Sequence, residues 1–259
     1  MNLILFTDTE LLKNQNCSQG IKTSAFLKRR DVRALHLYKV LRKKTGDSFD
    51  AGVLGGKTGS GIITEISEAG LHINLVLDTD PPPRIPLCLG AGFPRPIQLR
   101  RLLRDCASLG LNTVDLICTE LGEKSYRDTK LLEDGGAQAA LIEGAVQARD
   151  TRLPKLAVYS SLAEWLQKKT SDIAGQTDTV LIAADNVEPQ GTFSKLKPFP
   201  DITNAVLAVG SERGWSDNER RLLEDKGFVR LSFGSRALRT ETACIAAAIL
   251  VMEKIGLLD

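Results

Sequence analysis

Arg236 and Arg239 stand three residues apart in FGSRALRTET (residues 233–242), directly before an apolar run with helical spacing. The N-terminal end of a helix carries partial positive charge, so two guanidiniums placed there need a compensating anion. That anion is either a bound ligand or the neighbouring Glu241, in which case the pair is structural. At this spacing both arginines can point at one phosphate or base edge. A second loop, GSERGWS (210–216), joins Glu212 and Arg213 in one tight turn. Gly210 and Gly214 in it permit close backbone approach to a ligand. The plain alternative is an ordinary strand–helix connection, with glycine for the turn and Ser216 for the cap. The loop is neither a G-x-G-x-x-G fingerprint nor a P-loop, so phosphate cradling has little support. A third loop, AADNVEP (183–189), also follows an apolar run.

These loops need a scaffold, and the pattern around them supplies one. PLCLGAG, TVDLICT, LAVYSS, TVLIAAD, NAVLAVG and FVRLSFG read as short apolar strands. Between them lie segments with helical periodicity: 97–109, 130–149, 216–226 and 241–255. Ser216 and Glu219 form a capping-box signature, with Gly227 behind the helix as a stop. Strands alternating with helices predict a parallel sheet covered on both faces. Ligands then sit beyond the carboxyl ends of the strands, where the three loops fall. DTDPPPRIP (78–86) predicts a stiff connector, because three prolines continue neither a helix nor a central strand. Ahead of it, at residues 1–77, short runs such as SFDAGV, GIITEI and LHINLVL between glycines predict a small β domain. Residues 34–43 predict one or two helical turns within it.

Several classes are set aside by composition. The chain has 259 residues, 25% of them charged, and a formal net charge of +2. An RNA partner is therefore met by local basic surface, such as His36, Lys39, Arg42, Lys43 and Lys44, or that cluster is a solvated face. The five cysteines form no C-x-x-C pair and have only two histidines to join them, so no metal site is expected. Scattered cysteines, the absence of a basic leader in MNLILFTDTE and an apolar run too short to span a bilayer all point to the cytoplasm and away from membranes. Trp165 shares helical spacing with Leu162 and Leu166 and reads as core or partner surface. Trp215 either stacks on a base or packs.

The run GSERGWSDNE…GFVRLSFGSRALRTETACIAAA resembles the C-terminal signature of the RsmE family, G-P-E-G-G-[FL]-S-x-x-E followed by L-G-x-R-x-L-R-T-E-T-A. Gly210, Glu212, Gly214, Ser216, Glu219, Gly234, Arg236, Leu238, Arg239, Thr240, Glu241, Thr242 and Ala243 match. HLYKVLRKKTGDSFDAG is similar to the family's N-terminal pattern through His36, Val40, Leu41, Arg42, Gly46 and Asp47. EGAVQARDTRLP is similar to its middle segment through Glu143, Gln147 and Pro154. Ser211 and Arg213 depart from the family's proline and glycine.

The resemblance implies a PUA-like RNA-binding β domain over residues 1–77. It implies a SPOUT methyltransferase domain over 87–259, with a trefoil-knotted parallel sheet and helices on both faces. It further implies a homodimer and S-adenosyl-L-methionine as cofactor. The expected reaction is N3-methylation of a uridine in 16S rRNA of the small ribosomal subunit. Cofactor contacts are expected from Leu181, Ile182, Ala183 and Ala184 in one loop region. Val209, Gly210, Ser211, Glu212 and Gly214 supply the second, and Leu231, Ser232, Phe233, Gly234 and Leu238 the third. Uridine N3 carries a proton at neutral pH, so the reaction needs a base or a cation that stabilises the uridine anion. Arg239 is the candidate for the anion, Glu241 for orienting it, and Glu212 the runner-up base. Arg236 joins His36, Lys39, Arg42 and Lys43 as an RNA contact. Arg213 in the cofactor loop motivates the alternative of an RNA-binding or ribosome-assembly protein with impaired catalysis.

Overall fold

The computed structural model describes residues 3–17, 20–199 and 201–258. The chain divides into two units. The first is the chain up to Pro83 together with Ile142–Leu153, and the second is Arg84–Leu141 together with the chain from Pro154 onward.

The first unit is built on a six-stranded sheet. Its strands are β1 (Ile4–Phe6), β2 (Leu11–Cys17), β3 (Gly20–Lys28), β4 (Ser48–Val53), β5 (Thr58–Ile66) and β6 (Gly70–Thr79). They are ordered β1-β4-β5-β6-β3-β2, with β1 parallel to β4 and the other pairs antiparallel. Along β6, Leu71, Ile73, Leu75 and Leu77 are buried while His72, Asn74 and Val76 face outward. This alternation is the period-two pattern of a sheet with one covered face. Phe6, Leu27, Leu37, Phe49 and Ile63 complete that core. Between β3 and β4, α1 (Val32–Leu35) runs directly into a π-helical turn at His36–Val40. The expected turns are present, but the π geometry was invisible to a 3.6-residue pattern. The segment Ile142–Leu153 groups here because Ile142 and Val146 pack with Leu3, Leu5 and Leu54. The Thr151 hydroxyl also donates to the Gly56 carbonyl at 2.5 Å.

The second unit holds a wholly parallel sheet. Its strands are β7 (Ile85–Gly92), β8 (Leu111–Ile117), β9 (Lys155–Tyr159), β10 (Thr179–Ala184), β11 (Gly191–Thr192), β12 (Asn204–Val209) and β13 (Val229–Ser232). The order is β11-β13-β10-β12-β7-β8-β9. Helices α2 (Pro96–Ser108), α3 (Lys130–Glu133), α4 (Gly136–Gln147, from Ile142 onward part of the first unit), α5 (Leu162–Asp172) and α6 (Asp217–Asp225) fall between the strands, and α7 (Thr240–Lys254) follows the last of them. Val206 and Ala208 of β12 join a core with Trp165, Leu166, Trp215 and Leu223 from the α5 and α6 side. Their alternate neighbours Ala205, Leu207 and Val209 are buried too, and α7 packs on β7 and β12. Both faces of the sheet are therefore covered, as continuous apolar strands require.

Two expectations need correction. The helix predicted over 130–149 is two helices, because Gly135 between α3 and α4 adopts φ +71, which no α-helix accommodates. The connector predicted over 78–86 is shorter, since β6 runs to Thr79 and β7 starts at Ile85. Trp165 is core: it is fully buried, and its indole N–H donates to Asp115 at 2.8 Å.

Candidate active site

The loops after β10, β12 and β13 leave the carboxyl ends of neighbouring strands and meet around a cavity of about 250 Å³. Of the residues assigned to the cofactor by sequence, Ala184, Val209, Gly210, Ser211, Glu212, Gly214, Phe233 and Leu238 line it. Leu181, Ile182 and Ala183 lie in β10 and Leu231 and Ser232 in β13, where they carry the loops and do not line the cavity. Gly234 is exposed on the third loop, outside the lining. Apolar side chains such as Val209, Phe233 and Leu238 line it beside the charged Asp185, Glu212, Arg213 and Arg220, a mixture that suits a flat heteroaromatic ring with polar substituents. Thr240, the first residue of α7, also lines the cavity, and its buried hydroxyl has no hydrogen-bond partner. Buried polar groups are ordinarily satisfied, so this orphan is suited to a hydrogen-bonding ligand.

Local chemistry holds each loop in place. The Ser216 hydroxyl accepts the Glu219 amide at 3.1 Å, and the Glu219 carboxylate accepts the Ser216 amide at 3.0 Å. The second Glu219 oxygen accepts the Glu120 amide at 2.9 Å, tying α6 to the loop after β8. Burial pushes the Glu219 carboxyl above the usual carboxylate range. Hydrogen bonds from Ser216 and Asn218 hold the Glu120 carboxyl below it. Trp215 packs: it is fully buried, and its indole donates to the Ala184 carbonyl at 3.0 Å, joining the first loop to the second.

Asp185 is the residue that sequence reasoning missed. Its buried carboxylate accepts from Arg220 Nε at 2.8 Å, Arg230 Nη1 at 2.9 Å and the Val187 amide at 3.1 Å. Arg220 itself lines the cavity. The available signal was an acidic residue placed immediately after an apolar strand.

A neighbouring cavity of about 300 Å³ is lined by Arg95, Gln98, Glu212, Ala237, Leu238, Arg239 and Glu241. It brings all three candidate catalytic residues to one wall. Glu212 is engaged by Arg95 at 3.2 Å, an arginine that sequence reasoning also missed. Arg239 is exposed, and among the described residues it has no ion pair. No ion pair joins Arg239 to Glu241 among the described residues; Arg239 stands at the N-cap of α7 in an extended conformation and Glu241 in the first turn. Arg236 is exposed on the same loop. The other expected RNA contacts lie in the first unit. Lys39 and Arg42 are exposed there, Lys43 is half-buried, and His36 Nε2 is buried without a partner. Arg213 is exposed and is one of the residues lining the 250 Å³ cavity. Among the described residues no group of His, Cys, Asp or Glu is arranged to hold a metal ion, and no helix is long and apolar enough to cross a membrane.

Loops from three adjacent parallel strands closing on one cavity define an α/β domain built to hold a ligand at its strand ends. A profile of the RNA methyltransferase domain matches residues 81–252. Ribosomal RNA small subunit methyltransferase E of Treponema pallidum is 37% identical over 254 residues, covering 97% of this chain and 91% of the relative. The protein of Borreliella burgdorferi called ribosomal RNA small subunit methyltransferase E 1 is 32% identical, covering 98% of this chain and 99% of the relative. The fold is shared with the crystal structure of the Neisseria gonorrhoeae methyltransferase E bound to S-adenosyl methionine, at TM-score 0.72 and 17% identity, covering 98% of each chain. The chain belongs to the RsmE family of RNA methyltransferases.

Proposed function

We propose that the protein transfers a methyl group from S-adenosylmethionine to N3 of a uridine in 16S rRNA of the small ribosomal subunit. The observation that carries this reading is the convergence of the loops after β10, β12 and β13 on one cavity that has both apolar and charged side chains and an unsatisfied hydroxyl, Thr240. The relatives' names support the substrate class, and the S-adenosyl methionine bound in the Neisseria structure supports the cofactor.

When bound, the cofactor supplies an electrophilic methyl on a sulfonium. Ala184, Val209, Phe233 and Leu238 exclude water from around it and fix its orientation, the main demand of an in-line displacement. Uridine becomes nucleophilic on losing its N3 proton. Arg239, free of any ion pair among the described residues, stabilises the anion that forms. Glu212, oriented by Arg95, is the candidate acceptor of the proton. Glu241 faces the same cavity without occupying Arg239, which leaves that guanidinium for the RNA.

The same reading assigns the six-stranded sheet to a PUA-like domain whose Lys39, Arg42 and Lys43 meet phosphates. It gives the parallel sheet a trefoil knot, the active form two copies of the chain, and the protein a place in the cytoplasm. Mass spectrometry of 16S rRNA nucleosides from cells with and without the protein tests the reaction. Loss of 3-methyluridine is expected in its absence, and an unchanged level overturns the reading.

A further inference from the structure

A larger cavity, about 530 Å³, opens over the carboxyl ends of β7, β8 and β9. It lies at the same end of the sheet as the methyl-donor loops, which rise from β13, β10 and β12. Of its lining, the site described above uses only Glu120, whose carboxylate is held by Ser216 and Asn218. Phe93, directly after β7, is 3% exposed and contributes a small apolar patch to the cavity floor. Thr119, just beyond β8, is only 9% exposed, and its hydroxyl has no hydrogen-bond partner. Lys124 and Arg127 are exposed around the cavity and form no ion pair among the described residues. The carboxylates of Glu123 and Asp128 share the lining with them.

This set of groups matches one kind of ligand. A cavity of about 530 Å³ has room for a base. Unpaired cations take phosphates. Carboxylates accept hydrogen bonds from an exocyclic amino group, whereas uracil offers them only its N3–H, flanked by two carbonyls that they repel. The unpartnered Thr119 hydroxyl offers a donor and an acceptor beside the cavity. The cavity also adjoins the methyl-donor site. A smaller cleft of about 180 Å³ is lined by Phe93 and Glu123 together with Ser211, Glu212 and Arg213. The first pair lines the large cavity and the second group lines the cofactor cavity.

We infer that this cavity holds a nucleotide next to the methylated one in the RNA strand, and that its base carries an exocyclic amino group. The inference rests on the methyl-transfer reading for the identity of the ligand as RNA. The base enters the cavity, its amino group reaches Glu123 or Asp128, and its phosphate meets Lys124 and Arg127. The cavity thereby gives the enzyme a preference for sequence beside its target.

The test uses the full chain and a panel of short RNAs spanning the modified stretch of 16S rRNA. The nucleotide on each side of the target is varied through all four bases. Binding is read by fluorescence anisotropy, methylation by mass spectrometry, and cofactor affinity by calorimetry. At one of the two neighbouring positions the wild type should bind amino-bearing bases roughly tenfold more tightly than uracil. Replacing both Glu123→Ala and Asp128→Ala should erase that preference. Arg127→Ala should weaken binding of every RNA and lower the salt slope by about one, with S-adenosylmethionine affinity as in the wild type. Thr119→Val keeps the side-chain shape and should also reduce discrimination. Carboxylate and Arg127 variants that bind the panel as the wild type does would overturn the proposal, even if methylation is intact. A wild type that neither binds S-adenosylmethionine nor methylates RNA would defeat the methyl-transfer reading alone, since the binding panel still decides what the cavity recognises.

Discussion

A Cβ placed on Gly92 would lie 2.4 Å from the backbone nitrogen of Ser211, with the Gly210 carbonyl carbon at 2.8 Å. The end of β7 and the cofactor loop after β12 are thus in backbone contact, next to the register pair Val209↔Ala91. A methyl group there can be housed only by moving the loop. Gly92→Ala should cost about 1–3 kcal/mol, the usual range for overpacking, and should weaken S-adenosylmethionine binding more than RNA binding. Calorimetry with the cofactor and a denaturant titration check both halves. An unchanged cofactor affinity would mean that the loop does not contribute to the cavity.

Asp185 gathers two guanidiniums and a loop amide in a place that water does not reach. Its side chain is 2% exposed, and those of Arg220 and Arg230 are 15% and 9%. Removing one partner of a buried charged cluster leaves the others uncompensated. Arg220 keeps Asp217 and Arg230 keeps Glu224, so Asp185→Ala should cost about 3 kcal/mol, the lower end of the range for such losses. Cofactor affinity should fall with it, because the Val187 amide loses its acceptor and the first loop loses its anchor. Equal midpoints for variant and wild type in urea would show that the cluster holds nothing together.

How much of this was readable beforehand depends on the kind of interaction. TVLIAAD and NAVLAVG announced buried parallel strands because both faces of such strands must be apolar. The Ser216–Glu219 box was literal in the sequence, since all its partners lie within four residues. Periodicity carries no information on which strand lies beside which, so the order β11-β13-β10-β12-β7-β8-β9 was not legible. Nor was the grouping of Ile142–Leu153 with the first unit, which depends on apolar contacts to Leu3 and Leu5 at the other end of the chain. In the site, glycines and arginines near strand ends were visible as chemistry. The Arg95–Glu212 pair and the Asp185 cluster were not, because each joins residues from different strand ends.

Arg239 separates catalysis from stability. It is exposed and without an ion pair among the described residues, so Arg239→Ala should change folding stability by no more than about 0.5 kcal/mol. If its charge meets the uridine anion, the methylation rate should drop on the order of 10²-fold, as for loss of a single anion-stabilising donor. Single-turnover methylation of 16S rRNA with saturating cofactor measures it. A variant as fast as the wild type would remove Arg239 from the reaction.

Lys39, Arg42 and Lys43 surround the π-helical turn of the first unit. Removing a single cation that meets a phosphate should reduce the slope of log K against log salt by a little under one. The triple replacement by alanine should therefore weaken RNA binding at low salt and flatten its salt dependence. A slope identical to the wild type's would leave the cluster as a solvated face with no RNA on it.

Arg33 ties together the acid sensitivity of the first unit. Its Nη2 lies 2.5 Å from Glu10 and 2.7 Å from Asp31, and its Nη1 donates to the Leu5 carbonyl at 2.7 Å. Hydrogen bonds from Arg33 hold both carboxyls below their ordinary range. A carboxyl depressed in the folded state adds stability that is complete above its unfolded value and is lost as pH falls through the folded one. The melting temperature of the wild type should therefore drop progressively below about pH 5. Arg33→Met removes the cause of the depression. The variant should be less stable at neutral pH, and its melting temperature should fall less steeply over the same acid range, so that the two curves converge. Parallel curves would place the acid-sensitive carboxylates elsewhere in the molecule.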